Sequence, residues 1–273
     1  MKVAVIGSGV YGKAMANLLV QNGNNVTIWT EKTDNSVIVP DNTKLTNSFE
    51  EALENAELVY VLTGSKFTES VFRGMKPHVR DDMVIILGSK GILDDGKVIM
   101  EICEEIIPNA HIAIISGPTF AVDIGALEPV GFTLATEDYE DFKKIQSAMK
   151  SIYLEYSKDL LGTELAGSLK NAYAIGSGIL GGFNYGNSVR CLYITRVLDE
   201  IKNIFKQLGC DENTILSLAG IGDLVLTCTS LNSRNFTFGS LFSLGNKATV
   251  DEYLKTNTDE GYEKLMVFEK LYR

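Results

Sequence analysis

The sequence predicts an α/β fold in which a doubly wound parallel sheet is followed by an all-helical domain. Short apolar, β-branched runs alternate with helical patterns through the first 158 residues, and a glycine-rich turn follows the first run. From residue 162 onward, long helical patterns replace the β-rich runs. Alternation of this kind is typical of parallel strands joined by crossover helices. We therefore predict two domains, residues 1–158 and residues 159–273.

The first thirty residues predict a strand, a helix and a parallel strand. An apolar run at residues 3–6 meets a glycine turn, a helical pattern follows, and a second β-branched run ends at Thr30. Within the turn, Gly7, Gly9 and Gly12 form the pattern G-x-G-x-x-G. A tight bend, close approach of the backbone to a pyrophosphate and helix packing each exclude a side chain there. Placed between a strand and a helix, the pattern predicts a Rossmann-like dinucleotide site, although a tight turn without a ligand would also use glycines.

An acidic residue follows the second strand. Glu31 lies 19 residues after Gly12, close to the offset of about 20 residues at which a carboxylate binds the adenosine ribose. Because such a carboxylate repels the 2′-phosphate of NADP, Glu31 predicts a preference for NADH over NADPH. Two alternatives stay open. Glu31 is a solvated turn residue, or the adjacent Lys32 turns inward and meets a phosphate.

The remaining elements follow from the same alternation. Between the second strand and residue 118, helical patterns alternate with strand-like runs: helices at 48–56, up to about 75 and at 97–106, strands at 57–64, 83–91 and 111–118. Residues 118–126 interrupt the alternation, and two further strands, 130–136 and 152–156, flank a charged helix. In the second domain the longest helical patterns cover 164–180, 188–208 and 213–219.

The composition is that of an ordinary globular protein with an acidic charge balance. The chain of 273 residues is 45% hydrophobic and carries a net charge of −10 at pH 7, which argues against a nucleic-acid partner. No uninterrupted apolar run approaches the ~18 residues of a membrane-spanning helix, so we expect no transmembrane segment and a cytoplasmic location. The four cysteines have no metal-ligand spacing, and no metal site is predicted.

One lysine interrupts the helical run of small and apolar residues at 164–182. On a helix, the neighbours of Lys170 at three and four positions include Gly167, Tyr173 and Ala174. A lysine on such a face needs an anionic partner or a shifted pKa if it is buried, whereas a lysine taken alone is more often solvated. We predict that Lys170 is the reaction centre, and that partial desolvation lowers its pKa.

Further candidates follow strand ends. Lys90 and Thr119 stand where open α/β sheets bind ligands, in the segments GSKG and ISGPTFA. A solvated lysine and a structural turn fixed by Gly117 and Pro118 explain these residues nearly as well.

Two candidates lie in the second domain. Asp223 interrupts an apolar run, as a helix cap or as the buried partner of Lys170. Ser233, Arg234 and Asn235 combine a hydroxyl, a bidentate cation and an amide, a set suited to gripping a phosphate, although a surface loop is the alternative.

These residues carry a resemblance. The chain resembles the bacterial-type NAD(P)-dependent glycerol-3-phosphate dehydrogenases over nearly its whole length, through segments in the same order and at matching spacings: VIGSGVYGKAMA, SKGI, ISGPTFA, GSLKNAYAIGSGI, FNYGNSVRCLYITR, AGIGDLVLTCTSLNSRNFTFG and EGY. It departs from the family at Leu62–Ser65, where the family carries Val-Pro-Ser. It also ends at Arg273, where relatives continue into further helices, so we expect a C-terminally shortened helical domain, either a naturally minimal form or a truncated one.

The resemblance implies a role for each matching residue. Lys170 corresponds to the catalytic lysine, with Asp223 as its partner. The residues that would bind the substrate are Lys90, Gly117, Thr119, Lys170, Asn171, Asp223, Thr227, Ser233, Arg234 and Asn235. The residues that would bind the nucleotide are Gly7, Ser8, Gly9, Val10, Tyr11, Gly12, Lys90, Ala121, Arg234 and Glu260, and Glu31 joins them on the basis of its offset from Gly12.

The expected reaction is hydride transfer between NAD(P)H and dihydroxyacetone phosphate, giving sn-glycerol 3-phosphate for phospholipid synthesis. The expected partner is thus a small phosphate-bearing substrate, and a homodimer is one option for the assembly. Two other functions stay open: another two-domain hydroxyacid dehydrogenase, which would not need Ser233, Arg234 and Asn235, and a non-catalytic nucleotide-binding sensor.

Overall fold

A computed structural model of the chain describes residues 1–32, 39–93, 96–245 and 247–256. Backbone contacts divide the chain into two units. The first unit comprises residues 1–90, 97–115 and 119–160, and the second comprises 91–96, 116–118 and the chain from residue 161 onward. The predicted boundary at residue 158 falls two residues before the end of the first unit.

The first unit is built on an eight-stranded sheet. Its strands are β1 Lys2–Ile6, β2 Asn25–Trp29, β3 Thr43–Thr46, β4 Leu58–Val61, β5 Val84–Leu87, β6 His111–Ser116, β7 Gly131–Thr136 and β8 Tyr153–Ser157. They lie in the order β3-β2-β1-β4-β5-β6-β7-β8. Pairing is parallel from β3 to β6 and again between β7 and β8. Because the order reverses between β1 and β4, the carboxyl ends of these strands form the switch point at which such sheets bind ligands.

Within the described ranges, six helices connect these strands. They are α1 Val10–Gln21, α2 Phe49–Leu53, α3 Thr68–Met75, α4 Ile99–Ile106, α5 Ala121–Gly125 and α6 Tyr139–Ala148, with single 3₁₀ turns at Ser65–Phe67 and Lys76–His78. The second unit contains α7 Leu160–Gly182, α8 Asn187–Leu208, α9 Asp223–Thr229, α10 Arg234–Ser243 and α11 Lys247–Thr256. The predicted fold class, a doubly wound sheet followed by a helical domain, is confirmed.

The core of the first unit explains why the central strands read as continuous apolar runs. Every residue of β4 and of β5 is buried, because helices cover both faces of the sheet. Helix α1 adds the buried side chains of Met15, Leu18 and Leu19 to this core. The sheet and α1 therefore form a rigid base for the glycine turn that joins them.

Two elements of the first unit were missing from the sequence prediction. Strand β3 extends the sheet beyond β2, with Trp29 opposite Thr46 and the Thr30 amide donating to the Thr46 carbonyl at 3.0 Å. Its sequence, TKLT, lacks an apolar run because only Thr46 is buried at this sheet edge. The second is α5, which occupies residues within the predicted interruption at 118–126.

The predicted helix at 213–219 is wrong. A 3₁₀ turn covers Glu212–Leu216. An irregular turn at Leu218–Gly222, interrupted by the non-helical backbone of Gly220 (φ −82°, ψ −106°), then leads directly into α9. The chain is extended at Ser217 (φ −76°, ψ 174°), and the Ser217 hydroxyl accepts a hydrogen bond from the Gly220 amide at 3.1 Å. A serine in this conformation ends one turn and caps the next, so a continuous helix cannot form.

None of the helices in the described ranges is long and apolar enough to cross a membrane.

Candidate functional site

The glycine turn at the end of β1 is held in place by two hydrogen bonds to the end of β2. The Gly7 amide donates to the Trp29 carbonyl at 2.9 Å, and the Ser8 hydroxyl donates to Thr30 Oγ1 at 2.7 Å. Gly7 has φ +119°, a region that side chains other than hydrogen disfavour. The turn is therefore fixed to β2, at the strand end where Glu31 follows.

Gly9 and Gly12 are needed for different reasons. A β-carbon at Gly12 would overlap the Gly7 carbonyl oxygen, so this glycine is required by the fold itself. A β-carbon at Gly9 would meet nothing within 4 Å, and its φ of −63° suits any residue. Gly9 caps the twelve-residue helix α1 without a side-chain hydrogen bond. The open space at a helix N-terminus fits a pyrophosphate, which needs backbone amides and close approach.

The other predicted nucleotide residues of the first unit lie at strand ends or helix starts. Val10 is 74% exposed at the start of α1, and the ring of Tyr11 lies beside Gly88, just after β5. Glu31 and Lys32 are both exposed after β2. Lys90 is half-buried beyond β5, and Ala121 is half-buried at the start of α5. Glu260 lies outside the described residues.

Lys170 is buried at the middle of α7. It is 7% exposed, and its ammonium group forms an ion pair with Asp223, which is fully buried. Lys170 Nζ also donates to Thr227 Oγ1 at 2.9 Å. The Thr227 hydroxyl in turn donates to the Asp223 carbonyl oxygen at 2.7 Å, one turn earlier on α9. Lys170 thus pairs with Asp223, the partner that the sequence suggested, and the Thr227 hydroxyl is a second oxygen acceptor.

Local structure explains the position of Asp223. It is the first residue of α9, where a carboxylate interacts favourably with the helix dipole. The preceding Gly222 packs closely against Pro118. A β-carbon at Gly222 would lie 3.3 Å from the Pro118 ring. The turn formed by Gly117 and Pro118 therefore packs directly against the start of α9. Of the two explanations that the sequence left open for Asp223, the pairing with a buried cation applies. The cap explanation is wrong, because Gly222 is the N-cap of α9 and no side chain caps this helix.

A buried thiol shows that this cluster is shielded from water. Cys228 follows Thr227 on α9, and burial raises its pKa to about 12, with Lys170 opposing the rise and Asp223 adding to it. The Cys228 carbonyl accepts a hydrogen bond from the Ser177 hydroxyl at 2.7 Å, which ties α9 to α7. In such a low-dielectric setting, charge–charge interactions are stronger than in water.

The residues predicted to bind a phosphate, Ser233, Arg234 and Asn235, lie at the start of α10, and we call them the phosphate grip. The Ser233 hydroxyl caps this helix by accepting from the Phe236 amide at 3.2 Å, and Ser233 is 3% exposed. Arg234 is exposed and Asn235 is half-buried in the first turn. Asn235 Nδ2 donates to Asn171 Oδ1 at 3.0 Å. Because Asn171 follows Lys170 on α7, this hydrogen bond joins the grip to the helix that carries the buried lysine.

The structure therefore brings the sequence-predicted residues together in groups. Lys170, Asp223 and Thr227 form one cluster, and Asn171 and Asn235 connect it to α10. Gly117 belongs to the same unit, whereas Lys90 and Thr119, which is 8% exposed, belong to the first unit. Among the described residues, no group of three or more His, Cys, Asp and Glu side chains is arranged to hold a metal.

Sequence reasoning from the residues missed the roles of Asn171 and Thr227 and found them only through the resemblance. A signal for both exists, since Thr227 lies four residues after Asp223, on the same face of a helix. The contact between Asn171 and Asn235 joins residues 64 positions apart and left no local pattern.

Comparisons with known proteins agree with this geometry. The family model described as the NAD-dependent glycerol-3-phosphate dehydrogenase N-terminus matches residues 2–38 and 34–142, and the model for the C-terminus matches residues 159–273. A glycerol-3-phosphate dehydrogenase [NAD(P)+] of Fusobacterium nucleatum is 33% identical, over 100% of this chain and 84% of the relative. One of Baumannia cicadellinicola is 36% identical, over 88% of this chain and 77% of the relative.

Solved structures give the same result. The crystal structure of glycerol-3-phosphate dehydrogenase from Coxiella burnetii superimposes with a TM-score of 0.91 at 28% identity, over 99% of this chain and 88% of that one. The corresponding yeast enzyme, from Saccharomyces cerevisiae, has a TM-score of 0.84 at 20% identity over 96% of this chain and 87% of that one, and shows the likeness of the fold.

The two glycines at the start of α1 allow the fold and the nucleotide site to be separated. We expect Gly12→Ala to lower the free energy of unfolding by about 1–3 kcal/mol, because the added methyl overlaps a backbone carbonyl. Gly9→Ala should leave unfolding nearly unchanged and weaken NADH binding about tenfold or more, because the methyl occupies the space for the pyrophosphate. Urea unfolding and NADH fluorescence titration measure the two effects. Unchanged NADH affinity in Gly9→Ala would contradict the assignment of the space at Gly9 to the pyrophosphate.

Proposed function

This chain belongs to the NAD-dependent glycerol-3-phosphate dehydrogenase family, and we propose that it interconverts dihydroxyacetone phosphate and sn-glycerol 3-phosphate. It is an oxidoreductase that uses a nicotinamide cofactor and a small phosphate-bearing substrate. The observation that supports the specific reaction is the buried pair of Lys170 and Asp223. The residue after the lysine, Asn171, accepts a hydrogen bond from Asn235 at the start of α10. The product would supply phospholipid synthesis.

Lys170 would act on the oxygen of the substrate carbonyl. When bound, the reduced nicotinamide supplies the hydride that adds to C2 of dihydroxyacetone phosphate. As the C2–O double bond becomes a single bond, negative charge develops on the oxygen, and the Lys170 ammonium stabilises this charge and transfers a proton to it. Lys170 is left as a neutral amine and regains a proton from water. In the reverse direction the neutral amine takes the hydroxyl proton.

Asp223 and Thr227 would orient the lysine. The carboxylate and the threonine hydroxyl each accept a hydrogen bond from Lys170 Nζ, so they restrict an otherwise flexible side chain to one position. A catalytic group that is already in position before the substrate arrives loses little entropy in the reaction. Asp223 also favours the charged form of the lysine, which is the form that reduction needs.

Arg234 and Asn235 would hold the substrate phosphate at the start of α10. Arg234 is exposed there, and a guanidinium can donate two parallel hydrogen bonds to phosphate oxygens. The amides at the N-terminus of this ten-residue helix add a favourable dipole. In an acidic chain, such local cations are what an anionic substrate requires.

The nucleotide would be held by the glycine turn and by the residues around it. Gly9 and the start of α1 fit the pyrophosphate, and Glu31, exposed beyond β2, would accept hydrogen bonds from the adenosine ribose. Lys90, Ala121, Arg234 and Glu260 are further proposed contacts on the basis of the family resemblance. A cytoplasmic location and a homodimeric assembly also stay proposals.

The proposed reaction has a direct test. Purified protein is mixed with NADH and dihydroxyacetone phosphate, and the absorbance of the reduced nicotinamide is followed. We expect NADH to be consumed with this substrate and not with an unphosphorylated 2-oxo acid such as pyruvate. Folded protein that binds NADH but consumes it with neither substrate would favour a sensor, and consumption only with the 2-oxo acid would favour a hydroxyacid dehydrogenase.

Loss of the lysine should affect the chemical step. Lys170→Ala is expected to lower kcat by ~10² or more while NADH affinity stays nearly unchanged, because acid catalysis and charge stabilisation are both lost. Steady-state kinetics and NADH titration measure the two quantities. Lys206→Ala, on the exposed surface of α8, is the matched control and should be active.

Stability must be checked in the same experiment. Removing Lys170 leaves Asp223 buried without its cation, which can cost about 3–5 kcal/mol. The double variant Lys170→Met with Asp223→Asn removes both charges and should fold better while remaining as inactive as Lys170→Ala. A change confined to KM would contradict a catalytic role for Lys170.

The phosphate grip predicts that arginine and lysine are not equivalent. Arg234→Lys is expected to raise the KM for dihydroxyacetone phosphate about tenfold, because a point charge cannot reproduce a bidentate contact. Arg196→Lys, on the exposed face of α8, is the control and should leave KM unchanged. Equal KM values in wild type and Arg234→Lys would show that another residue holds the phosphate.

Cofactor preference is expected to depend on Glu31. The wild-type protein should have a higher kcat/KM with NADH than with NADPH, because the carboxylate repels a 2′-phosphate. Glu31→Arg should narrow or reverse this ratio. Lys32→Ala separates the alternatives: a wild-type preference for NADPH that disappears in Lys32→Ala would show that Lys32 governs the pocket.

A further inference from the structure

Helices α7 and α10 cross with their backbones in contact. A β-carbon at Gly178 of α7 would overlap the Phe236 carbonyl oxygen of α10, and one at Gly239 of α10 would overlap the Ile175 carbonyl oxygen of α7. Both glycines are buried. The approach is therefore reciprocal, with each helix presenting a glycine to the main chain of the other. No larger residue fits at either position without separation of the helices.

Small polar residues continue the same contact. The Ser240 hydroxyl donates to the Gly178 carbonyl at 3.0 Å, and a β-carbon at Gly182, one turn beyond Gly178, would overlap Ser243. These contacts extend over more than one turn of each helix, so they fix the crossing along α7 as well as across it. We call Gly178 and Gly239 the glycine crossing.

The two crossed helices carry the two parts of the proposed substrate site. Helix α7 carries Lys170 and Asn171, two turns before Gly178, and α10 begins with Arg234 and Asn235, four to five residues before Gly239. A hydrogen bond joins the two parts, from Asn235 Nδ2 to Asn171 Oδ1 at 3.0 Å. The distance between the reacting carbonyl and the phosphate of one substrate must match the distance between these two parts.

We infer that Gly178 and Gly239 are positioning residues that set the distance between the lysine and the phosphate grip. The glycines are not proposed to contact substrate or cofactor, and they would act through the backbone of α10. This inference rests on the proposed function, because it assigns the grip to the phosphate of dihydroxyacetone phosphate. Its physical basis is that a rigid backbone contact transmits a displacement at the crossing to the first turn of the same short helix.

The size of the effect follows from the size of a methyl group. An added β-carbon at either glycine must push α10 away from α7 by roughly 1 Å, and misplacement on this scale can cost about 10²-fold in a reaction that needs oriented groups. The Lys170 cluster lies on α7 and α9 and is held by its own hydrogen bonds. The displacement should therefore weaken recognition of the phosphate and leave the chemistry at the carbonyl largely intact.

The test compares a substrate that has the phosphate with one that lacks it. Gly239→Ala and Gly178→Ala are assayed with NADH and either dihydroxyacetone phosphate or dihydroxyacetone, and unfolding is followed by circular dichroism. We expect the KM for dihydroxyacetone phosphate to rise at least about tenfold, with a much smaller change in kcat/KM for dihydroxyacetone. The preference for the phosphorylated substrate should fall by the same factor. Loss of folded protein alone would lower both activities equally and leave KM unchanged.

Two further variants make the result decisive. Gly186→Ala, at the N-cap of α8 where a β-carbon meets nothing within 4 Å, is the control and should keep the wild-type preference. If the crossing variants do not fold, Ser240→Ala removes the hydrogen bond to Gly178 without adding atoms and should raise the KM for dihydroxyacetone phosphate about threefold.

An unchanged preference for the phosphorylated substrate in folded Gly239→Ala would overturn the inference. Should that variant not fold, an unchanged KM in Ser240→Ala would overturn it. Either result is distinct from failure of the proposed function, in which the wild-type protein itself would not consume NADH with dihydroxyacetone phosphate.

Discussion

The buried ion pair between Lys170 and Asp223 is the interaction on which the second unit depends. A charged group in a dry interior is unstable unless a partner compensates it, so neither residue could occupy its position without the other. Thr227 satisfies part of the remaining hydrogen-bonding capacity of the ammonium group. Such a pair contributes little net stability compared with apolar packing, which supports the chemical role proposed for Lys170.

The position of Asp223 in turn depends on irregular structure. The 3₁₀ turn and the irregular turn before α9 fix where this helix begins, and Pro118 packs against Gly222 at that point. A close backbone contact has a similar effect in the first unit. Gly12 lies so close to the Gly7 carbonyl that no side chain fits there, and this contact fixes the shape of the turn after β1. In both units, the functional group stands immediately after a segment whose backbone has no freedom.

Sequence patterns predicted the parts of this structure that depend on local periodicity. The buried strands β1, β4 and β5, the glycine turn and the small-residue face around Lys170 all follow from residue spacing, because burial imposes that spacing directly. The patterns failed at 213–219, where Ser217 interrupts a run of helix-compatible residues, and at β3, whose polar sequence is acceptable at a sheet edge. The contact between Asn171 and Asn235 was out of reach for a different reason, since it depends on the packing of two helices.

The charge distribution links this packing to substrate choice. With a net charge of −10, the chain as a whole repels a phosphate ester, and Lys170 cannot offset this because Asp223 balances its charge. Besides Lys90, the other cation among the proposed substrate residues, attraction is therefore expected from the start of α10, where Arg234 and the helix dipole both favour an anion. In the proposed site, the lysine would therefore provide chemistry with little affinity, and α10 would provide affinity with no chemistry. On this proposal, a substrate is selected by how well its carbonyl-to-phosphate distance matches the separation of Lys170 and the start of α10, which depends on the helix crossing more than on any single side chain.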